Sequence, residues 1–388
     1  MKKRFHYPVL QCLLWGIYGV AQTYLNRYLL EEGLTNTQIG VMLGLSTGAA
    51  FLLQPALGAL TDSRRLTVRR VLLLCAAVLF LGMAVLLLPV GIGAIVLFYA
   101  LGYTMVNVMP SFANALGVQG IKAGMPIDIG RARGLGSVAF SITSQVGSWL
   151  IAAYGLKTVP LFTLLLAGCM IAVVATFPQV NAETERKDRG SDGAVAFFRR
   201  NPSIALFLLA AILLNISHSA IRNSMYQIAV WKGNVNAHGT AMSMAAFLEL
   251  PVMFAFTFLL TKRRCAFWLK FCATFFCVRS LLMLVLPGVV GLYAAQTMQA
   301  LGSAMYIVAS VYYLAEVLRG TDAVRAQWYA GTTGTFASLV AYVASGSLLD
   351  RVSIPTLLTI TTLLAFAGML MMYFAVYRVE KSREISAS

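Results

Sequence analysis

Charge is scarce in this sequence. Only 11% of its 388 residues are Asp, Glu, Lys or Arg, while 59% are hydrophobic; a soluble domain carries about 25% charged residues. The shortage is patterned. No charged side chain occurs between Val71 and Ile121, or between Ser280 and Ala315. Each run is long enough for two crossings of a bilayer at ~20 residues per helix. Each is also interrupted near its middle, by Pro89-Val90-Gly91 and by Pro287-Gly288. Unpaired backbone groups are not tolerated in lipid, so the crossings are helices or a closed barrel. Continuous apolar runs, rather than ten-residue alternation, select helices.

Histidine is rarer still. His6, His218 and His238 lie on separate segments with no Cys/His/carboxylate grouping near them. That leaves no metal cluster and no convergent nucleophile–base pair, so no metal, no cofactor and no enzymatic activity are expected. The six cysteines (Cys12, Cys75, Cys169, Cys265, Cys272, Cys277) show no CxxC spacing and read as packing residues. A G-x-x-x-x-G-K-[ST] loop is missing, which removes ATP-driven pumping. Met1-Lys2-Lys3-Arg4 and the apolar stretch behind it imitate a signal peptide, but no A-x-A-like site follows. The stretch reads as an uncleaved first span.

Twelve spans are predicted, near 8–30, 37–61, 71–89, 92–119, 133–155, 158–178, 203–231, 237–261, 268–287, 289–317, 326–349 and 354–377. The longest interruption, 179–202, is polar and divides the chain into an N-terminal half, 1–178, and a C-terminal half, 203–388. The net charge of +16 suggests nucleic acid until its placement is considered. With the N-terminus inside, twenty-four of the thirty Lys and Arg residues fall on the inner side. Only Lys157, Lys232 and Arg351 fall in outer loops. This is the bias of cytoplasmic loops, so both termini are expected in the cytoplasm, with a bacterial inner membrane as the setting. The basic charge then faces the bilayer, and no nucleic acid is bound.

The halves echo each other. Pro55 answers to Pro251, Arg64-Arg65 to Arg263-Arg264, Arg131-Ala132 to Arg325-Ala326, and Pro160 to Pro355, all in one order. Parallel six-helix repeats flanking a midplane site are a known transporter architecture. Ionisable residues inside spans mark function by default. Glu249 is the acid placed near a span centre. His218 and Arg222, four apart, share a helical face behind Asn215, and an imidazole titrates near neutral pH. Asn107, Ser111 and Asn114 form one polar stripe, and Gln296, Gln299 and Ser303 another. Such stripes line an aqueous cavity or join helices. Gly58 allows close helix approach, and Asp62 offers a cap to the next helix.

Three segments carry a family resemblance. One is Gln54-Pro55-x-x-Gly58-x-x-x-Asp62 followed by Arg64, Arg65, Arg69 and Arg70. Another runs from Pro126-Ile127-Asp128 through Gly130-Arg131-Ala132-Arg133-Gly134 to Phe140. The third is Asn215-Ile216-Ser217-His218-Ser219 with Glu249 and Arg279. On these the chain resembles the major facilitator superfamily, and within it the branch of the lactose and phenylpropionate permeases. The resemblance implies an all-α membrane protein of twelve helices in two six-helix repeats. It implies substrate contacts at Arg133 and Phe140, and a gating loop at Gly58, Asp62, Arg64 and Arg65, which the repeat extends to Arg131 and Arg325. It implies proton coupling through Glu249, His218 and Arg279. Ala113 stands where the branch has a partner carboxylate, and Gln299 and Gly302 where it has a histidine and a glutamate. Asn107, Asn114, Arg222 and Gln299 complete the expected substrate set. The expected activity is proton-coupled symport by a monomer of a small polar solute. Sugar or glycoside stands first, and an aromatic carboxylate is the alternative.

Overall fold

The computed structural model describes residues 3–63, 65–178, 194–318 and 320–387. Among these residues it is helical throughout, with sixteen α-helices and one π-helical turn. They are α1 (Lys3–Ala21), α2 (Leu25–Glu31), α3 (Asn36–Asp62), α4 (Val68–Val85), α5 (Ile92–Lys122), α6 (Ile129–Tyr154), α7 (Thr158–Thr176), α8 (Ala194–Arg200), α9 (Pro202–Asn223), α10 (Met225–Trp231), α11 (Ala237–Lys262), α12 (Cys265–Val285), α13 (Gly288–Gln299), the π turn Ala300–Ala304, α14 (Met305–Val317), α15 (Gly320–Leu349) and α16 (Ile354–Ala387).

Local chemistry sets many of the boundaries. Thr35 opens α3 with a reciprocal capping box to Gln38. Thr67 caps α4 by accepting from the Arg70 N–H, and Asp128 caps α6 by accepting from the Arg131 N–H at 2.9 Å. The Pro/Gly interruptions seen in sequence lie between α4 and α5 and between α12 and α13. Gly33 and Gly233, at φ of +94° and +91°, close α2 and α10 in the left-handed conformation that glycine adopts without steric cost.

Ten helical stretches among the described residues are long and apolar enough to cross a membrane. α13, the π turn and α14 count as one such stretch. The expected twelve are not all among them. α1 begins with basic and polar residues, and the Gly, Thr and Ser of α15 lower its hydropathy. Large apolar side chains face outward along the spans, including Leu52 at 69%, Trp149 at 65% and Val290 at 81% exposure. In a water-soluble fold such faces would be liabilities; in lipid they are the solvent-matched surface.

The chain forms two compact units: Met1–Arg186 with Asn236–Phe247, and Lys187–Val235 with Leu248–Ser388. In the first, α1 packs on α6 and α7, and α4 packs on α5 and α7. Glycine makes the closest approach possible: a Cβ on Gly19 would stand 2.6 Å from the Phe140 carbonyl oxygen. The opening turns of α11 belong to this unit. Ser243 hydrogen-bonds Ser141 of α6 at 2.9 Å, and His238 meets Tyr24 edge-on. In the second unit α9 packs on α15 and α16, and α12 packs on α13, α14 and α16. Its core is built around Phe207, Leu214, Phe276, Tyr313 and Met372. α8 joins that core through fully buried Phe197.

Two expected continuous spans are broken. The first stops at Ala21 and resumes at Leu25; the seventh stops at Asn223 and resumes at Met225. Side chains at the breaks are tied sideways. Thr23 and Tyr24 bond Ser144 of α6, through its hydroxyl and its carbonyl respectively, and Asn223 donates to Ser345 of α15 at 2.9 Å. Tyr28 is 1% exposed, its ring tilted 34° to that of Tyr99 at 5.5 Å between centroids.

Candidate functional site

In the first unit a polar chain runs along one face of α1. Tyr7, Gln11 and Trp15 are spaced four apart, so they stack along that face. The Gln11 amide donates to the Tyr7 hydroxyl at 2.8 Å and accepts from the Trp15 indole N–H at 3.0 Å. Its NH2 group also reaches the side-chain Oδ1 of Asn114 on α5 at 3.4 Å. The Arg133 guanidinium of α6 lies 3.6 Å from the centre of the Trp15 ring and donates to Ser137 at 2.8 Å. Arg133 is therefore held at two points, and a guanidinium over an aromatic face is a favourable pairing.

Sequence reasoning singled out Arg133 and Asn114 of this cluster but not Tyr7, Gln11 and Trp15. The available signal was their four-residue spacing on one apolar helix. Phe140, expected from the resemblance to contact substrate, is half-buried, and its carbonyl oxygen accepts from Thr143. The stacking partner of Arg133 is Trp15. Asn107 donates to the Tyr103 carbonyl of its own helix at 2.8 Å, and Ser111 donates to Gln54 at 3.0 Å. Part of that stripe thus joins helices of the unit.

Gly136 faces the same cluster. A methyl group there would run into the Trp15 ring and stand 3.2 Å from the Gln11 carbonyl oxygen. Overpacking of this kind typically costs about 1–3 kcal/mol. Gly136→Ala is expected to lower the melting temperature of the purified protein by several degrees. Gly58→Ala, where an added Cβ meets nothing within 4 Å, should leave it unchanged. Equal melting temperatures for all three proteins would refute the tight α1–α6 contact.

In the second unit Arg279 of α12 is 2% exposed. It donates to Gln296 Oε1 twice, from Nε at 3.1 Å and Nη2 at 2.8 Å, and its Nη1 lies 2.8 Å from His218 Nδ1. Arg222, one turn beyond His218, donates to the Tyr342 hydroxyl at 2.8 Å. Glu249 of α11 is half-buried and accepts from the Gln299 amide at 2.8 Å. Gln299 is the last residue before the π turn, where Gly302 passes close to the Phe275–Phe276 backbone. Single π turns inside helices recur at functional sites. The structure thus links His218, Arg279 and Gln296 by direct contacts and Glu249 with Gln299 by another, and the Glu249 carboxylate acts electrostatically on Arg279.

The gating-loop candidates are dispersed. Gly58 makes no close approach, contrary to expectation. Among the described residues α4 is capped by Thr67, and the cap expected from Asp62 is not made. Arg65 is exposed, and Arg64 lies outside the described residues. Arg131 pairs with Asp128 at 3.1 Å. Arg325 and Arg200 both approach Asp322, at 4.0 and 3.5 Å. Among the described residues no group of three or more His, Cys, Asp or Glu side chains is arranged to hold a metal ion.

Comparison with solved structures gives the same fold in the nucleoside transporter NupG. That structure superposes with a TM-score of 0.81 at 16% identity, covering 98% of this chain and 100% of NupG. A point mutant of NupG gives 0.83 at 16% identity, covering 95% and 100%. No curated protein matches the chain. Residues 7–330 match the MFS_1 like family, most of the chain's length. Long apolar helices, intramembrane Arg and Glu side chains and this match agree: the chain is a multi-pass membrane transporter, not an enzyme, and belongs to the MFS_1 like family of the major facilitator superfamily.

Proposed function

We propose that the chain is a proton-coupled symporter of a small polar organic solute, a sugar or glycoside, working by alternating access. The proposed fold has twelve spans in two six-helix repeats, 1–178 and 203–388, joined by a cytoplasmic linker over 179–202. Both termini lie in the cytoplasm of a bacterial inner membrane, and the monomer is the working unit. Recurring detail supports the repeat. The pairings α1–α6, α1–α7, α4–α5 and α4–α7 have counterparts in α9–α15, α9–α16, α12–α13 and α12–α16. The breaks before α2 and α10, each anchored to a serine of α6 or α15, and the left-handed Gly33 and Gly233 recur in the same order. α1 and α15 complete the twelve.

The observation that carries the substrate reading is the Arg133–Trp15 stack. It turns a flexible side chain into a planar set of donors with a fixed orientation. Two adjacent sugar hydroxyls match such a fork, and Gln11 and Asn114 supply amide groups beside it. Nucleosides are N-glycosides, and because a solved structure with this fold is named as a nucleoside transporter they are the first glycosides to try. Aromatic carboxylates are the second reading, because Arg133, Arg222 and Arg279 outnumber Glu249 among the site candidates.

A thermal-shift screen of purified protein against sugars, nucleosides, other glycosides and aromatic acids separates the readings. A ligand that binds the native state raises its melting temperature by mass action. Stabilisation by a neutral glycoside is expected. Loss of a charged hydrogen-bonding partner costs about 1.5–3 kcal/mol, so Arg133→Ala should weaken that binding roughly ten- to hundredfold. Arg133→Lys should not restore it, because an ammonium lacks the fork. Stabilisation by carboxylates alone would move the assignment to an organic-acid carrier.

A further inference from the structure

A cavity of about 560 Å³ opens beside the turn joining α11 to α12, lined by Lys262, Arg263, Arg264, Phe267, Lys270 and Glu380. Four of these six side chains are basic and one is acidic, so the cavity keeps a positive excess. Glu380 of α16 pairs with Lys270 at 3.2 Å. Lys262, Arg263 and Arg264 are exposed. Two of the cations lean on aromatic rings: the Lys262 ammonium lies 5.3 Å from the Phe258 ring centre and the Arg263 guanidinium 5.6 Å from that of Phe267. These are loose contacts that leave N–H groups available for an anion.

The surroundings are apolar and outward-facing. Phe254 and Phe258 on α11 are 66% and 62% exposed, and Phe374 and Tyr377 on α16 are exposed as well. All three helices that frame the cavity have stretches long and apolar enough to cross the bilayer, and the cavity lies at an end of each. Basic charge at the end of a span, bordered by lipid-facing aromatic side chains, matches an amphiphile whose anionic head and acyl chains arrive together.

We propose that this cavity is a binding site for the headgroup of an anionic phospholipid. Arg263, Arg264 and Lys262 hold the phosphate, and the acyl chains lie along the exposed aromatic faces of α11 and α16. A free phosphate would gain the charge but not the apolar contact, so the lipid is the ligand. Glu380 competes with the headgroup for Lys270 and limits affinity.

The test uses the full-length protein, delipidated in detergent and titrated with phosphatidylglycerol, phosphatidylcholine or inorganic phosphate. Melting temperature and lipid retention by native mass spectrometry are the readouts. Phosphatidylglycerol is expected to be retained at least ~10-fold better than phosphatidylcholine, as several charge-assisted contacts would give. Arg263→Gln/Arg264→Gln should abolish that preference, whereas Lys157→Gln, a basic residue between α6 and α7, should keep it. Glu380→Gln, which removes a negative charge from the cavity, should strengthen retention, and it keeps the proposal testable if the double variant does not fold. Equal retention of the two lipids, an unchanged preference in the double variant, weakened retention in Glu380→Gln, or an equal thermal shift from inorganic phosphate alone would each overturn the proposal.

Discussion

Glu249→Gln is expected to abolish uphill accumulation of substrate while leaving counterflow exchange largely intact. The argument starts from what the substitution preserves. Glutamine has the same length and keeps an oxygen that accepts from the Gln299 amide, now 2.8 Å from the carboxylate. The hydrogen bond to Gln299 is therefore retained, while the electrostatic support that the carboxylate gives buried Arg279 is removed. On the proposed proton coupling, what is lost is the group that takes up a proton on one side of the membrane and releases it on the other. One charge moving through a potential of about 100 mV carries ~2.3 kcal/mol. At about 1.4 kcal/mol per tenfold, that sustains roughly 50-fold accumulation. In proteoliposomes with an imposed potential and pH gradient, the accumulation ratio should fall from that order to near one. Equal ratios in the variant and the unaltered protein would remove Glu249 from coupling. Loss of counterflow together with accumulation would make its role structural, as a partner of Gln299.

How much of this was legible in the sequence depends on whether the cause was local. The uncharged runs and their Pro/Gly interruptions gave the helix pairs on either side of 86–91 and 286–287, because burial in lipid and turn chemistry act over a few residues. The breaks at Thr23–Tyr24 and Ser224 were not legible. Their anchors, Ser144 and Ser345, lie more than a hundred positions away and on other helices. The role of Trp15 was hidden for the same reason: on its own helix it is one aromatic among apolar residues, and only α6 brings Arg133 over its ring. Gly58 shows the converse error. Its type suggested a close contact, yet an added Cβ would meet nothing within 4 Å, while Gly19 and Gly136 are the glycines that let α1 and α6 approach. Among the intramembrane ionisable side chains, His218 and Arg279 meet at 2.8 Å.

The second large effect concerns Arg279. Arg279→Met is expected to destabilise the protein by about 2–4 kcal/mol, because buried groups that lose their partner bear a desolvation cost of about 1–3 kcal/mol each. Gln296 is fully buried, and its oxygen accepts two of the Arg279 N–H groups. His218 Nδ1 loses its contact in the same step. Methionine fills much of the volume and brings no charge, so the expected loss comes from the stranded polar atoms rather than from a cavity. This sets up a double-mutant cycle. Gln296→Leu removes the main acceptor, and once it is gone Arg279→Met should cost less. The coupling energy is expected at roughly 1–2 kcal/mol, within the 0.5–3 kcal/mol range for side chains in one network. Unfolding in lipid bicelles, followed by denaturant titration, measures all four corners. Strict additivity would mean that the two hydrogen bonds to Gln296 contribute nothing net. Arg279→Lys discriminates charge from geometry: an ammonium retains the positive charge but cannot give two parallel N–H bonds to one oxygen together with a third to His218. If geometry is what matters, the lysine variant should be nearly as destabilised as the methionine one. If the charge alone matters, it should retain most of the stability, and Arg279 would then act as a fixed cation beside Glu249 rather than as the strut that positions His218.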